Sequence, residues 1–273
     1  MNRPVKKGGA QIALYAGLLL FVALAMTGLR YCSNPPAGAE KERRESGGDT
    51  IDVAISYSPM TLYRYADTLG GLGYDMMRAL AAQDGFVFKF HPVTSLEQSM
   101  KGLEDGLYDL VVYDMAKTAD TDERFAFTEP VSFDKQVLVQ RRDSAGNVPV
   151  GSQLELARKR VWVEAESPAI LRLKHLSAEI GDTIFVEPVS DYTSEQLFIM
   201  AAIGEVPLAV VNESVARKLA GEYPQVDIST GVSFTQFQAW LMRSDDSTRL
   251  HRLNQSIIRF KSTPAYTALI SKY

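Results

Sequence analysis

The sequence predicts an α/β protein of two similarly built units, preceded by a membrane helix and a flexible tether. Three observations predict this: an apolar run close to the N-terminus, a polar stretch rich in Pro, Gly, Glu, Arg and Ser after it, and a double alternation of strand and helix patterns from Ile51 onward.

The N-terminal run comes first. Arg3, Lys6 and Lys7 form a basic start, and Ile12 to Leu29 then gives 18 uncharged, mostly apolar residues. A bilayer-spanning helix needs roughly 17–25 such residues, whereas a secretory h-region usually has about 7–15. Positive charge before the run predicts the N-terminus inside and the body outside. Three fates are open: an uncleaved anchor, cleavage after Ala23-Leu24-Ala25, or lipidation of Cys32, against which the bulky Tyr31 argues. Residues 1–31 are therefore read as a signal anchor or signal peptide. Residues 32–50 lack large apolar side chains, cannot bury enough surface to offset their ordering entropy, and read as a flexible linker.

The body opens with Ile51–Ile55, a short alternating strand. Met76, Met77, Leu80 and Ala81 recur at helical spacing within Gly73–Gln83, and Gly85 is placed to end that helix. Phe86–Phe90 alternates as a second strand. Ser95–Leu103 reads as a helix with Leu96, Met100 and Leu103 on one face, and Asp109–Tyr113 as a third strand. This order implies parallel strands joined by right-handed helical crossovers. A second unit repeats the scheme: strand Arg160–Val163, helix Ala169–Ile180 closed by Gly181, strand Thr183–Val186, helix Tyr192–Ile203, strand Leu208–Val211 and helix Glu213–Leu219. After Gly231 follow a strand, Phe237–Met242, a helix from Ser247 to Phe260 and a terminal helix from Pro264.

Composition bounds the function. The chain has 273 residues, 46% hydrophobic and 23% charged, with a net charge of −4. That suits a globular body with a proper core. No Lys/Arg block stands out in it, which argues against a nucleic-acid partner. The single cysteine allows no intrachain disulfide, and the three histidines lie far apart. Nothing has metal-site spacing, so no metal and no cofactor are expected.

Four short motifs carry a resemblance: Tyr57-Ser58-Pro59, Gly73-Tyr74-Asp75, Gly106-Leu107-Tyr108-Asp109 and Phe127-Thr128-Glu129-Pro130. In this order and spacing, Ile51 to Tyr273 resembles the family 3 extracytoplasmic solute-binding proteins. The resemblance implies a two-lobed periplasmic-binding-protein type II fold, with two mixed sheets flanked by helices. Lobe one would comprise 51–140 and 231–273, and lobe two 141–230. The crossings would fall near Val137–Gln140 and Ser233–Gln238, with ligand in the cleft between. Within the family the chain looks most like the sensory lobes of membrane-bound lytic transglycosylase F relatives. Their lysozyme-like domain needs on the order of 100 or more further residues, so the transglycosylase activity is not carried over.

A zwitterionic amino acid needs a bidentate Arg for its carboxylate and an Asp or Glu for its ammonium. The resemblance places that Arg at Thr121, three residues after Thr118, and the acidic group at Asn212. Both are neutral here. The position of the stacking aromatic falls near Leu96, which leaves Tyr57 as a platform. A longer loop would instead bring Arg124 in as the anchor; otherwise Arg124 is a solvated charge beside Asp120 or Glu123. Tyr113 and Asp114 sit at the end of a parallel strand, where open α/β sheets bind ligands. Tyr74, in its motif, is a further candidate contact. Ser167 caps the helix starting at Pro168, and that helix end also offers N–H groups to an anion. Glu166 stands where relatives often have Gly.

The expected function is that of a non-catalytic, membrane-tethered binding protein at the periplasmic face of the inner membrane. Its ligand would be small and polar, not a plain α-amino acid, with a peptide or peptidoglycan fragment as the candidate. A permease, as in transport, or an envelope enzyme would be its protein partner. The competing reading is a ligand-less regulatory or scaffold module acting on such an enzyme.

Overall fold

Two sheets organise residues 50–273, the part of the chain that the computed structural model describes. The first runs in the order β4 (Val87–Val93), β1 (Thr50–Ser56), β5 (Leu110–Ala116), β13 (Gln236–Arg243) and β6 (Phe125–Phe127), with β7 (Ser132–Asp134) also paired to β13. Strands β4, β1 and β5 are parallel, and β13 returns antiparallel. The second sheet runs β10 (Phe185–Val189), β9 (Arg160–Glu164), β11 (Leu208–Asn212), β8 (Gln136–Arg141) and β12 (Val226–Asp227). Again the first three are parallel and the fourth antiparallel. The two sheets therefore repeat one plan, and each forms the centre of a lobe.

Helices α1 (Leu72–Asp84) and α2 (Leu96–Glu104) cross over in lobe one. Met76, Met77 and Leu80 bury one face of α1, and Gly85, at φ 70°, ends it because glycine takes the left-handed conformation at no steric cost. Ser95 caps α2 by accepting the N–H of Gln98. In lobe two, α4 (Pro168–Ile180), α5 (Ser194–Ile203) and α6 (Glu213–Ala220) follow strands β9, β10 and β11. Helices α7 (Ser247–Lys261) and α8 (Pro264–Lys272) return to lobe one, where Leu253, Ile257 and Phe260 join the core of Val53, Ile55, Met77 and Trp240.

Several segments depart from expectation. Val137–Gln140 is not a connection: it lies inside β8, with Val137, Leu138 and Val139 all buried in lobe two. The first crossing thus falls at Lys135, between β7 and β8, and the second between Val232, in lobe two's core, and β13. The polar loop after β5 contains a short helix, α3 (Ala119–Arg124). A hairpin of β2 (Tyr63–Tyr65) and β3 (Thr68–Gly70) had no strand signal strong enough to be read. The expected membrane helix and nearly all of the linker lie outside the described residues. Among the described residues, no helix is long and apolar enough to cross a membrane.

The Phe-Thr-Glu-Pro motif has a structural task. Strand β13 shifts register between Ala239 and Leu241, and Thr128 closes the irregularity from the side. Its N–H donates to the Trp240 carbonyl (2.9 Å) and its Oγ1 accepts the Trp240 N–H (3.0 Å). Backbone groups that the shifted ladder would leave unpaired are thereby satisfied.

Candidate ligand cleft

Because β1, β5, β9 and β11 run parallel within their sheets, their C-terminal ends meet between the lobes, where open α/β sheets place ligand sites. Ser56 and Ser58 come from the end of β1, Tyr113 and Asp114 from β5, Glu164 from β9 and Asn212 from β11. A small cavity of about 20 Å³ lies among Ser56, Ser58, Thr61, Tyr113, Asp114 and Asn212, bounded by Thr193, Ser194 and Val215. That is room for about one water molecule, so the lobes touch at this point; a second cavity of about 220 Å³ opens between Lys117 and Thr118 of lobe one and Pro168, Arg172 and His175 of lobe two.

Lobe one's half is set by close backbone approach. Gly71 has φ 128°, and a Cβ there would lie 2.3 Å from the Thr61 carbonyl oxygen. A Cβ on Gly73 would meet the Thr61 methyl at 2.8 Å. Both glycines let the start of α1 press on Thr61, whose Oγ1 donates to Asp114 Oδ2 (3.1 Å). Ser58 Oγ holds the same turn by accepting the Thr61 N–H (2.9 Å). The Asp114 carboxyl is surrounded by protein and is pushed up to about 6 by burial, against the lowering effect of Thr61.

Tyr113 is the central side chain. Its ring packs in an apolar cluster with Leu96, Met100 and Met115, and its hydroxyl crosses the cleft to donate to Glu164. An aromatic body in the core with its polar tip paired is how buried tyrosines are satisfied. Glu164, 5% exposed, also accepts from Ser194 Oγ (3.1 Å) and from the backbone N–H of Leu96 at the start of α2. Burial nevertheless pushes its carboxyl up to about 7, because all three donors are neutral. Desolvation and the facing Glu164 carboxylate raise the Tyr113 phenol well above its ordinary range.

Asn212 precedes α6 but makes no side-chain cap. Its Nδ2 crosses to the Asp114 carbonyl instead (2.8 Å). Tyr113, Asp114 and Asn212 thus meet at one point. The other candidates lie elsewhere. Thr118 and Thr121 close a reciprocal capping box on α3, so Thr121 is spent on its own backbone. Arg124 lies outside the cavity, bridging Glu104 (3.0 Å) and, from lobe two, Glu166 (2.7 Å). Tyr74 packs on Phe90 at 5.3 Å. Tyr57 is 41% exposed and does not line the cavity. Ser167 caps α4 by accepting the Ala169 N–H. Glu166 takes φ 64°, a left-handed conformation that glycine adopts at no steric cost.

Sequence reasoning missed Ser56, Ser58, Thr61, Thr193, Ser194 and Glu164. Only Ser56 and Glu164 had a findable signal, each as the last residue of a buried strand that ends at the cleft.

The arrangement defines a two-lobed binding fold with its site between the lobes. The family model for bacterial extracellular solute-binding proteins, family 3, matches residues 50–273, and the chain belongs to that family. Similar curated proteins include the membrane-bound lytic murein transglycosylase F of Alteromonas mediterranea, 24% identical over 85% of this chain and 50% of the relative. That of Desulfosudis oleivorans is 23% identical over the whole chain and 57% of the relative. The chain therefore spans about half the length of these relatives. Among solved structures, an ancestral arginine-binding protein bound to glutamine superposes with TM-score 0.71 at 21% identity, covering 83% of this chain and 98% of that one. The GluR0 ligand-binding core from Nostoc punctiforme in complex with L-glutamate gives 0.66 at 19% identity, covering 82% and 98%.

Proposed function

We propose that this chain is a non-catalytic binding module of the cell envelope that takes a small polar ligand, other than a plain α-amino acid, in its interlobe cleft. The observation that carries this reading is the charge of the small cavity at the strand ends: its lining has hydroxyls, an amide and the Asp114 carboxyl, and no Arg or Lys. A free α-carboxylate buried there would have no cationic partner, a costly arrangement. The transglycosylase names of the relatives favour a peptide or peptidoglycan fragment. The basic, apolar N-terminal segment supports tethering at the periplasmic face of the inner membrane, next to a permease or an envelope enzyme. Glu164 and Asp114 owe their raised pKa values to burial where the lobes touch, which is a structural cause.

Isothermal titration of residues 50–273 with free amino acids and with muropeptides tests the reading. Muropeptide binding without amino-acid binding is the expected result, and micromolar binding of a free amino acid refutes it. A second reading, a ligand-less regulatory module, is favoured by the closure itself. It requires that no library member shifts the melting temperature while an envelope protein is captured specifically.

A further inference from the structure

Glu164 occupies lobe one as a guest. The carboxylate comes from lobe two, yet two of its three donors, the Tyr113 hydroxyl and the Leu96 N–H, belong to lobe one. Opening the lobes removes Glu164 and leaves those donors facing the cleft, with Tyr113 next in sequence to Asp114. Asp114 then has one hydroxyl donor, Thr61, and a second oxygen for which no donor is described. The open lobe thus presents the Tyr113 donor and the Asp114 acceptor on the lining of one cavity, with the Leu96 N–H as Tyr113's companion on Glu164.

The chemistry of the guest tells which ligand suits the seat. A seat built for anions lowers the pKa of a carboxyl placed in it, as a salt-bridged or multiply N–H-bonded carboxylate shows. Here the opposite holds: burial outweighs three neutral donors, and the carboxyl moves up to about 7. The seat thus prefers an uncharged acceptor to a charged one. An amide is such a group. Its carbonyl accepts as a carboxylate oxygen does, carries no charge to desolvate, and brings an N–H that needs an acceptor of its own.

We propose that the cleft recognises a neutral secondary amide, such as an acetamido or peptide group. Its carbonyl takes the place of the Glu164 carboxylate on Tyr113 and Leu96, and its N–H donates to Asp114. Glu164 is the internal competitor that fills the seat when the lobes close alone. The inference rests on the binding-module reading and gives that ligand a chemical class. It also accounts for the neutral Thr121 and Asn212, since a neutral amide needs neither charged anchor.

The test is an NMR titration of residues 50–273, which contain all four core clusters and fold as one unit, following the Leu96 amide signal. The probes are N-acetylglucosamine, glucosamine and acetate. N-acetylglucosamine is expected to shift Leu96 while the free amine and the carboxylate leave it in place. Glu164→Ala, which removes the competitor, is expected to tighten N-acetylglucosamine binding about tenfold or more, and Tyr113→Phe to weaken it about tenfold. Glu164→Gln keeps the shape and fills the seat with a neutral carbonyl, so it binds more weakly than the parent. Unchanged affinity in Glu164→Ala, an equal gain for acetate, or no response to N-acetylglucosamine in any variant overturns the amide seat. If a muropeptide still binds and ignores all three substitutions, the amide seat falls while the binding module stands. Micromolar binding of a free amino acid sinks the module reading separately.

Discussion

Raising the pH from about 5 to about 8 is expected to weaken the closed cleft through Glu164. Its carboxyl titrates near its ordinary 4.5 when solvated and at about 7 between the lobes. The closed state therefore binds more protons than the open or unfolded state across that window. Stability falls with pH wherever the native state is the better proton binder. The favourable condition is complete below the lower value, and the penalty is complete above the upper one. At ~1.4 kcal/mol per pH unit the penalty amounts to about 3 kcal/mol, and at 5% exposure the side chain has little solvent screening to reduce it. For a chain of this size that is on the order of 10 °C in melting temperature. Asp114 acts with the same sign but between 3.8 and about 6 and is largely ionised by about pH 7, so the interval from about pH 7 to 8 isolates Glu164. Carboxyls held low, such as Asp84 beside Ser256 and Arg259, act in the opposite sense but only below their ordinary range. Thermal melts of the parent and of Glu164→Gln across this interval are the assay. The parent should lose stability while the variant stays level. Parallel loss in both would show that Glu164 is not the group responsible.

Gly71→Ala should destabilise by ~3 kcal/mol or more, since its φ is strained for any side chain and the new Cβ meets the Thr61 backbone; urea unfolding measures it. Asp109 is buried and receives Arg243 and Arg249, each at 3.2 Å, together with the Asp52 N–H. Asp109→Ala should cost about 2 kcal/mol in the same assay, less than the ~3–5 of a fully buried pair, because both guanidiniums reach solvent. Arg124→Ala should cost less than ~1 kcal/mol, and the loss should vanish at high salt, because its bridge to Glu166 is exposed. Thr121→Arg should lower the melting temperature by breaking the capping box, about 1 kcal/mol, without producing amino-acid binding in calorimetry.

The regular elements were legible where hydrophobic period and punctuation agreed. Gly85, Gly181 and Ser95 mark helix ends in the sequence and in the structure. The resemblance implies a crossing at Val137–Gln140, and the sequence alone does not correct it, because the neighbours of β8 are more than 60 residues away: Val137 pairs with Val211. Such a partner leaves no local trace beyond a short apolar run. The cleft was half legible for a related reason. Tyr113 and Asp114 follow from a strand end and Asn212 from the resemblance, but the serines and threonines around them look like ordinary turn residues until tertiary contacts place them. Arg124 fails for a plainer reason: two carboxylates on the surface hold it better than a buried cleft would.

The substitutions at the cleft make sense only as a set. Thr121 and Asn212 carry no charge, and Thr121 is held in the capping box of α3. Tyr113 and Glu164 meet across the lobes, and Asn212 turns toward the Asp114 carbonyl. Closure is therefore supported by the protein's own groups, at the cost of burying a carboxylate without a cation. That cost keeps the closed state from becoming permanent. A ligand able to satisfy Tyr113, Leu96 and Asp114 without burying a charge would gain the difference, and the same residues that shut the cleft would then select what opens it.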